Sequence, residues 1–197
     1  MSNDLTPTTL ARIDVTTGDI TRLSVDAIVN AANESLLGGG GVDGAIHRAA
    51  GPRLLEHNKT LAGCPTGLAK ITPAFDLENN GIKHIIHTVG PVWQGDENAK
   101  LGDTREDVLL ASCYTRSLAL AARHDCESVA FPAISTGVYR FPRDRAAKIA
   151  FAHVAHHLQG HDLPQRVTFC CFSEDDAAIY RQVIDTRSRW MYTRRRV

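Results

Sequence analysis

This sequence of 197 residues lacks the features that mark several large protein classes. No apolar run approaches the ~20 residues that a membrane-spanning helix needs. The segment 1–4 has neither a basic start nor an apolar stretch, so we expect no secretory signal. The five cysteines, two of them adjacent at Cys170 and Cys171, do not form a disulfide-framework pattern. We therefore expect a cytoplasmic protein with buried, reduced thiols and no membrane contact.

Motifs for metals and for nucleoside triphosphates are also missing. His153, His156 and His157 could share a helix face, but no His-Glu-x-x-His pattern and no Cys-x-x-Cys pair accompanies them. A solvated helix face is the expected explanation for these histidines. No glycine is followed by Lys-Ser or Lys-Thr, which excludes a P-loop hydrolase.

Charge of either sign is not in excess, since 22 basic residues balance 22 acidic ones. The balance is uneven along the chain, because the residues after Asp185 include five arginines and no acid. Length and a hydrophobic content of 43% fit one globular domain, which we place at 1–185. We expect the basic tail, 186–197, to be a flexible end, with nucleic acid or an acidic partner as the alternative. Nothing in the sequence requires more than a monomer.

Strand-like and helix-like segments alternate along the chain. The predicted strands are 12–15, 25–29, 67–75, 82–89, 128–134 and 166–172, and the predicted helices are 43–58, 103–124, 143–158 and 174–184. The expected cap of the second helix is Asp103 with Glu106. This alternation predicts an α/β fold with a largely parallel sheet covered on both faces. Ligands of such sheets bind at the carboxyl ends of the strands.

The most informative segment is 28–51, in which an apolar strand leads into Asn30, Asn33 and four consecutive glycines. Asp43 follows at an expected helix start. Glycine lets the backbone turn sharply and approach a ligand closely. A helix amino-terminus adds free N–H groups and a partial positive charge, which suit a pyrophosphate. The segment therefore predicts a site for an anionic ligand.

Three blocks, 30–33, 38–44 and 134–139, resemble the signature loops of macrodomains, specifically the MacroD type. Further matches at 18–21, 64–67, 87–91 and 169–172 run in the same order, so the resemblance covers about 11–185. It implies a three-layer α/β/α sandwich with a mixed, largely parallel sheet that binds ADP-ribose. It also implies hydrolysis of the ester at the distal ribose C1″ of O-acetyl-ADP-ribose and of mono-ADP-ribosylated Asp or Glu side chains. No metal or cofactor is implied.

The resemblance also assigns roles to individual residues. Asp43 would activate or position the water, with possible help from the substrate diphosphate, while Asn33 would bind the distal ribose and Tyr139 would lie over it. The remaining predicted ligand contacts are Asp19 and Phe172 for adenine, Gly39, Gly40, Gly41, Ser135, Thr136, Gly137 and Val138 for the phosphates, and Ile20 and Val42 with no particular group of the ligand assigned.

Each role has a structural alternative. Asp43 could be a helix cap, Asp19 a turn residue, Tyr139 a turn tyrosine and Phe172 a core residue, and for Asn30 a turn-stabilising role is favoured. A non-catalytic ADP-ribose reader is the main functional alternative. Hydrolysis is preferred because binding alone does not need a carboxylate beside a pyrophosphate, where charge repulsion disfavours it.

A nicotinamide dehydrogenase is the third possibility, since 39–44 formally matches Gly-x-Gly-x-x-Gly. The motif begins well after the strand instead of at its end, and 60–66 offers no acid for a ribose hydroxyl. These departures make a dehydrogenase a poor fit.

Overall fold

The computed structural model describes residues 5–194, with side chains described up to Thr186. The strands are β1 Ile13–Thr17, β2 Ala27–Ala32, β3 Ala69–Pro73, β4 His84–Val89, β5 Ser128–Phe131 and β6 Arg166–Cys171. The α-helices are α1 Pro7–Leu10, α2 Gly41–Ala50, α3 Pro52–Thr60, α4 Arg105–Arg123, α5 Arg143–Gly160 and α6 Glu174–Arg194. Two 3-10 helices, Ile20–Arg22 and Phe75–Asn80, complete the set.

The strands form one sheet in the order β1-β6-β5-β2-β4-β3. All neighbours are parallel except β3, which runs antiparallel to β4 at one edge. The mixed, largely parallel sheet is therefore confirmed. Since the carboxyl ends of parallel strands meet at one edge, the loops after β1, β6, β5, β2 and β4 lie side by side in that order.

Helices cover both faces of the sheet, which confirms the three-layer sandwich. Val29, Val129 and Val167 pack with α4, α5 and α6, whereas Ile28 and Ile85 pack with α2 and α3. Adjacent residues such as Ile28 and Val29 point to opposite faces because side chains alternate along a strand. Both faces of the sheet are buried against helices, so these strands appear in the sequence as continuous apolar runs. No helix of the described residues is long and apolar enough to cross a membrane.

The single helix predicted over 43–58 is wrong, because the chain breaks at Gly51 into α2 and α3. Gly51 has φ +77°, and Pro52, which lacks an N–H donor, starts the new helix. The predicted cap of α4 is also wrong. Thr104 caps this helix, and Asp107 completes a capping box with it.

Two other expectations can be compared with the structure. All five cysteines are free and buried, as expected, and burial raises the pKa of the Cys171 thiol to about 12. His157 does not lie on a solvated face, since it is only 8% exposed and its Nε2 lies 3.0 Å from the Leu163 carbonyl oxygen.

The helix α6 continues past the predicted end at 184. The tail arginine side chains lie outside the described residues, so a nucleic-acid contact of this tail stays a prediction.

A buried ion pair anchors the loop between β4 and α4. Arg145 Nε donates to Asp107 Oδ1 at 2.7 Å, and its other nitrogens donate to the carbonyls of Ala99 and Lys100 at 2.8 and 2.9 Å. Burial alone would raise the pKa of Asp107, but hydrogen bonds from Arg145 and from the Gly102 backbone outweigh burial and lower it. The Asp107 carboxylate therefore stabilises the fold at neutral pH and loses this contribution as the pH falls through its lowered pKa.

Replacing Arg145 by Met should lower the free energy of unfolding by about 3 kcal/mol at pH 7, because it leaves a buried carboxylate without its partner. Arg166→Met removes the exposed Arg166–Asp14 pair at 3.5 Å and should cost less than about 1 kcal/mol. Urea denaturation measures both values. Equal losses for the two variants would contradict an anchoring role for Arg145.

Candidate functional site

The predicted site residues lie along the carboxyl edge of the sheet. Asp19 and Ile20 follow β1, Phe172 follows β6, and segment 135–138 follows β5. Asn33 and the glycine run follow β2. Neighbouring strands lie ~4.8 Å apart, so the five loops from β1 to β4 span about 19 Å. The fold thus brings the predicted residues together in one elongated row.

The β1 and β6 end of the row carries Asp19 and Phe172. The backbone N–H of Gly18 donates to the Cys171 carbonyl at 3.0 Å, which places the residues that follow both strands side by side. Asp19 Oδ1 accepts from the Thr21 hydroxyl at 2.7 Å and from the Thr21 N–H, so the turn role is real. These bonds, the hydroxyl first, lower the pKa of Asp19 despite partial burial. Phe172 is 94% exposed and is not a core residue, whereas the Ile20 side chain is buried in the core.

The glycine run forms the start of α2. Gly40 is the N-cap, so Asp43 lies in the first turn and is not the cap. The N–H groups of Gly40, Gly41 and Val42 donate no hydrogen bond to any residue in the described range. The first N–H groups of a helix have no partner within the helix, and they carry the positive end of its dipole. This turn can therefore bind an anion.

The loop after β5 presents a second set of free donors. Ser135 has φ +66°, an uncommon conformation for a residue with a side chain. The N–H groups of Thr136, Gly137 and Val138 donate to no atom of the described chain, and Val138 is 91% exposed. A Cβ on Gly90 would lie 2.1 Å from Ser135 Oγ, so only glycine lets the loops after β4 and β5 touch. Gly90 lies within the matched block 87–91, and no role was predicted for it.

Asp43 is 3% exposed, and its two carboxylate oxygens have different surroundings. Oδ1 accepts a hydrogen bond from Asn30 Nδ2 at 2.7 Å and lies 3.5 Å from His47 Nε2. Oδ2 is buried and has no hydrogen-bond partner among the described residues. Burial raises the pKa of Asp43, against the opposing effects of Asn30 and His47. The unpaired oxygen can therefore accept a proton or a hydrogen bond from a bound molecule.

Gly39 connects Asp43 to Asn33. A Cβ on Gly39 would lie 3.0 Å from Asp43 Oδ2 and 3.3 Å from Asn33 Nδ2, so both groups face the bare backbone. Asn33 and Tyr139 line a cavity of about 360 Å³ together with Glu34, Ser35, Thr66, Val89, Gly90 and Val92. The side chain of Asn33 is held by Nδ2 donating to the Gly38 carbonyl at 2.9 Å and by Oδ1 accepting from Ser35. Oδ1 also accepts from the Ser35 hydroxyl at 2.6 Å, so one N–H of this amide remains free for a ligand and both lone pairs of its oxygen are occupied.

The turn role favoured for Asn30 is wrong. Asn30 lies within β2 and is fully buried, and its amide bonds Asp43 and His87 instead of a turn. The β2 strand ends three residues later than predicted, which moves Asn30 from the loop into the sheet. His87 was matched only as part of 87–91, and no role was predicted for it. The available signal was a polar residue inside an otherwise apolar strand, in both β2 and β4.

Comparisons with known proteins agree with this geometry. The family model described as Macro domain matches 29–150. A macro domain-containing protein of Mesorhizobium japonicum is 57% identical over 89% of this chain and 94% of its own length. The O-acetyl-ADP-ribose deacetylase of Escherichia coli K12 is 52% identical over 88% of this chain and 95% of its own length. The crystal structure of a Trypanosoma brucei macrodomain in complex with ADP-ribose has a TM-score of 0.80 and 38% identity, and covers 92% of this chain and 72% of that one.

The buried charge of Asp43 predicts a measurable effect on stability. A carboxyl group whose pKa is raised by folding destabilises the fold at pH values above that pKa, and the penalty disappears as the group becomes protonated. Asp43→Asn should therefore raise the free energy of unfolding by about 1 kcal/mol at pH 7.5, a typical gain for relieving a strained functional group. Urea denaturation at pH 7.5 and at pH 4 should show a smaller difference in acid. A loss of stability at pH 7.5 would contradict this electrostatic description.

Proposed function

The chain belongs to the macrodomain family, and we propose that it is a hydrolase that releases ADP-ribose from O-acetyl-ADP-ribose and from mono-ADP-ribosylated Asp and Glu side chains. The observation that carries this proposal is the buried, unpartnered Oδ2 of Asp43 beside the cavity of Asn33 and Tyr139. The deacetylase name of the Escherichia coli relative supports the same chemistry.

The order of the loops matches the order of the chemical groups in ADP-ribose. Adenine binds at the β1 and β6 end, the diphosphate at the loops after β5 and β2, and the distal ribose in the cavity between β2 and β4. In the reverse orientation, adenine would lie against the Asp43 carboxylate and the distal ribose would lie on the exposed Phe172 ring. The aromatic ring at one end and the buried carboxylate at the other therefore favour one direction of binding.

Adenine is recognised by an acceptor and a stacking surface. Among the described residues, the only donor recorded near Asp19 Oδ2 is Arg22 Nε at 3.7 Å, so this oxygen can accept from the exocyclic amino group of adenine. The exposed Phe172 ring offers a face on which the base can stack. Ile20 would contribute through its backbone, because its side chain is buried in the core.

The diphosphate binds to backbone N–H groups from both sides. Gly39 and the N-cap Gly40 lead into α2, Gly41 and Val42 begin its first turn, and 135–138 provide the opposite loop. The helix dipole adds a favourable field for the anion. Glycine at 39 keeps this contact short, since a side chain there would occupy the space between Asp43 and Asn33.

Hydrolysis then needs one activated water beside the distal ribose. The water bonds to Asp43 Oδ2 and attacks C1″, its proton moves to the carboxylate, and the C1″–O bond breaks with its electron pair leaving on the released acid. A carboxylate is a stable leaving group at neutral pH, so no general acid is required. A diphosphate oxygen is a second acceptor for the same water. Asn33 binds ribose hydroxyls, and Tyr139 limits the side from which water enters.

Asp43→Ala should lower the rate of ADP-ribose release by 10²-fold or more and leave the binding of free ADP-ribose within about fivefold, because general bases typically contribute 10²–10⁴. The assay offers the pure protein a panel of conjugates: O-acetyl-ADP-ribose, protein modified on Asp or Glu, and an ADP-ribosylated nucleic-acid end. Calorimetry measures the binding.

The outcomes of this assay separate the candidate functions. Binding without release by the wild type would leave a reader module, and equal release by both proteins would remove Asp43 from the reaction. In H₂¹⁸O, attack at C1″ gives an unlabelled carboxylic acid product. A labelled acid would instead indicate attack on the acyl carbon.

Phe172→Ala should weaken ADP-ribose binding by about 5- to 150-fold, the range expected for losing one stacked base, with kcat nearly unchanged. Val108→Ala is the matched control, because Val108 is an exposed apolar residue on α4, outside this row. Calorimetry with ADP-ribose and with ribose 5-phosphate completes the test. The loss should vanish for the ligand without adenine, and an equal loss for both ligands would contradict stacking.

A further inference from the structure

Asp43 is the end of a chain of buried side chains that the reaction above does not use. We propose that Asn30, His87 and Thr72 are positioning residues that fix the Asp43 carboxylate through Oδ1 and so leave Oδ2 for the water. This inference rests on the proposed function. None of the three side chains needs to touch the substrate.

The direction of each hydrogen bond follows from the chemistry of the groups. Asn30 Nδ2 lies 2.7 Å from Asp43 Oδ1 and 3.1 Å from His87 Nδ1. A carboxylate only accepts, so the amide nitrogen of Asn30 must face it. Its second hydrogen then points to His87, which makes Nδ1 of this histidine an acceptor. The ring proton of the neutral His87 is therefore on Nε2.

The chain continues in the same direction to the edge of the sheet. His87 Nε2 lies 3.2 Å from Thr72 Oγ1, and the Thr72 hydroxyl donates to the Pro73 carbonyl at 3.0 Å. Each N–H or O–H along this path meets one acceptor. Reversing any single bond would place two hydrogens or two lone pairs against each other.

Strand pairing explains why these residues meet. Asn30 is directly paired with His87 in the parallel β2–β4 ladder, so both side chains lie on the same face of the sheet. His87 is paired with Lys70 on β3, and Thr72, two residues further on, is its diagonal neighbour on that face. The chain thus crosses three adjacent strands beneath α2, which carries Asp43.

Burial keeps the chain in a single protonation state. His87 is fully buried, and burial lowers its pKa to about 3, with smaller contributions from His47 on α2 and His57 on α3. A protonated ring would direct an N–H at the Asn30 amide and break the chain. His87 therefore stays neutral at every pH at which Asp43 is ionised.

The chain also prevents Asn30 from rotating. If the amide turned over, its oxygen would face both the Asp43 carboxylate and the Nδ1 lone pair of His87, which is repulsive at both contacts. A histidine held by Thr72 thus holds Asn30, and Asn30 holds Asp43. Removal of the Thr72 hydroxyl should therefore weaken the hydrogen bond to the Asp43 carboxylate without changing any group near the ligand.

Thr72→Val tests this at the end of the chain. It should lower kcat about fivefold with KM within twofold, and move the acidic limb of the pH profile to higher pH, because a weaker Asn30 bond stabilises the carboxylate less. The ionisable group that faces Asp43 is His47, which lies on the same helix. Thr72→Ser, which keeps the hydroxyl, should restore kcat and the pH profile to within twofold.

The matched control is Thr88→Val. Thr88 is equally buried on β4, and its hydroxyl donates to the Leu68 carbonyl at 2.9 Å, outside the chain. This variant should keep wild-type kcat and pH profile. Equal effects of Thr72→Val and Thr88→Val, or no rescue by Thr72→Ser, would overturn the proposal.

Two NMR measurements test the inference without any activity, and the first needs only the wild type, so it can be made even if Thr72→Val does not fold. Long-range ¹H–¹⁵N spectra of the wild type should show His87 neutral, protonated on Nε2, down to pH 5. A His87 protonated on Nδ1, or titrating near pH 6.5, would overturn the proposal. In folded variants, ¹³C titration of the Asp43 carboxyl should give a higher pKa for Thr72→Val than for Thr88→Val. An inactive wild type with these NMR results would refute the proposed hydrolysis and leave the hydrogen-bond chain standing.

Discussion

The candidate site depends on one buried carboxylate, that of Asp43, of which only one oxygen has a hydrogen-bond partner among the described residues. Burying Asp43 costs free energy, which three features offset: the donor from Asn30, the nearby His47 and the amino-terminal end of the α2 dipole. No described group offsets the cost at Oδ2. A purely structural aspartate would be expected to bond through both oxygens, so the open valence is best explained by a bound molecule that completes it. Gly39 lies against this oxygen, and the hydrogen-bond chain ends on the other oxygen of the same carboxylate.

The sheet makes this site possible by placing distant parts of the chain next to one another. Because β1, β6, β5, β2 and β4 are parallel, their following loops form one row along the edge of the sheet, and the proposed function assigns groups of the ligand to these loops in that order. Close contacts between these loops depend on missing side chains, most clearly at Gly90 against Ser135. The loop between β4 and α4, which Asp107 and Arg145 anchor, contacts the same region. Trp93 of this loop donates its N–H to the Tyr139 carbonyl at 2.8 Å.

The alternation of apolar strands and amphipathic helices was enough to predict the three-layer fold, and the glycine run was enough to predict a candidate site at the carboxyl edge of the sheet. Local detail was less accessible. The break at Gly51 was missed because the apolar pattern of α2 carries on into Leu54 of α3. Asn30 was misjudged because its partners, Asp43 and His87, are brought to it by the β2–β4 register, which a single sequence does not reveal. No role was predicted for Thr72 for the same reason. The residues proposed to contact the ligand lie in local sequence motifs, whereas the residues proposed to position Asp43 are distributed over three strands.

The most direct measurement of the role given to Asp43 is a crystal structure of the wild-type protein with ADP-ribose. We expect adenine between Asp19 and Phe172, and the diphosphate on the amides of α2 and of the loop after β5. We also expect a water that is hydrogen-bonded to Asp43 Oδ2 and lies next to C1″ of the distal ribose. A ligand bound in the opposite direction, or an Asp43 Oδ2 that contacts neither ribose nor water, would contradict this description of the site.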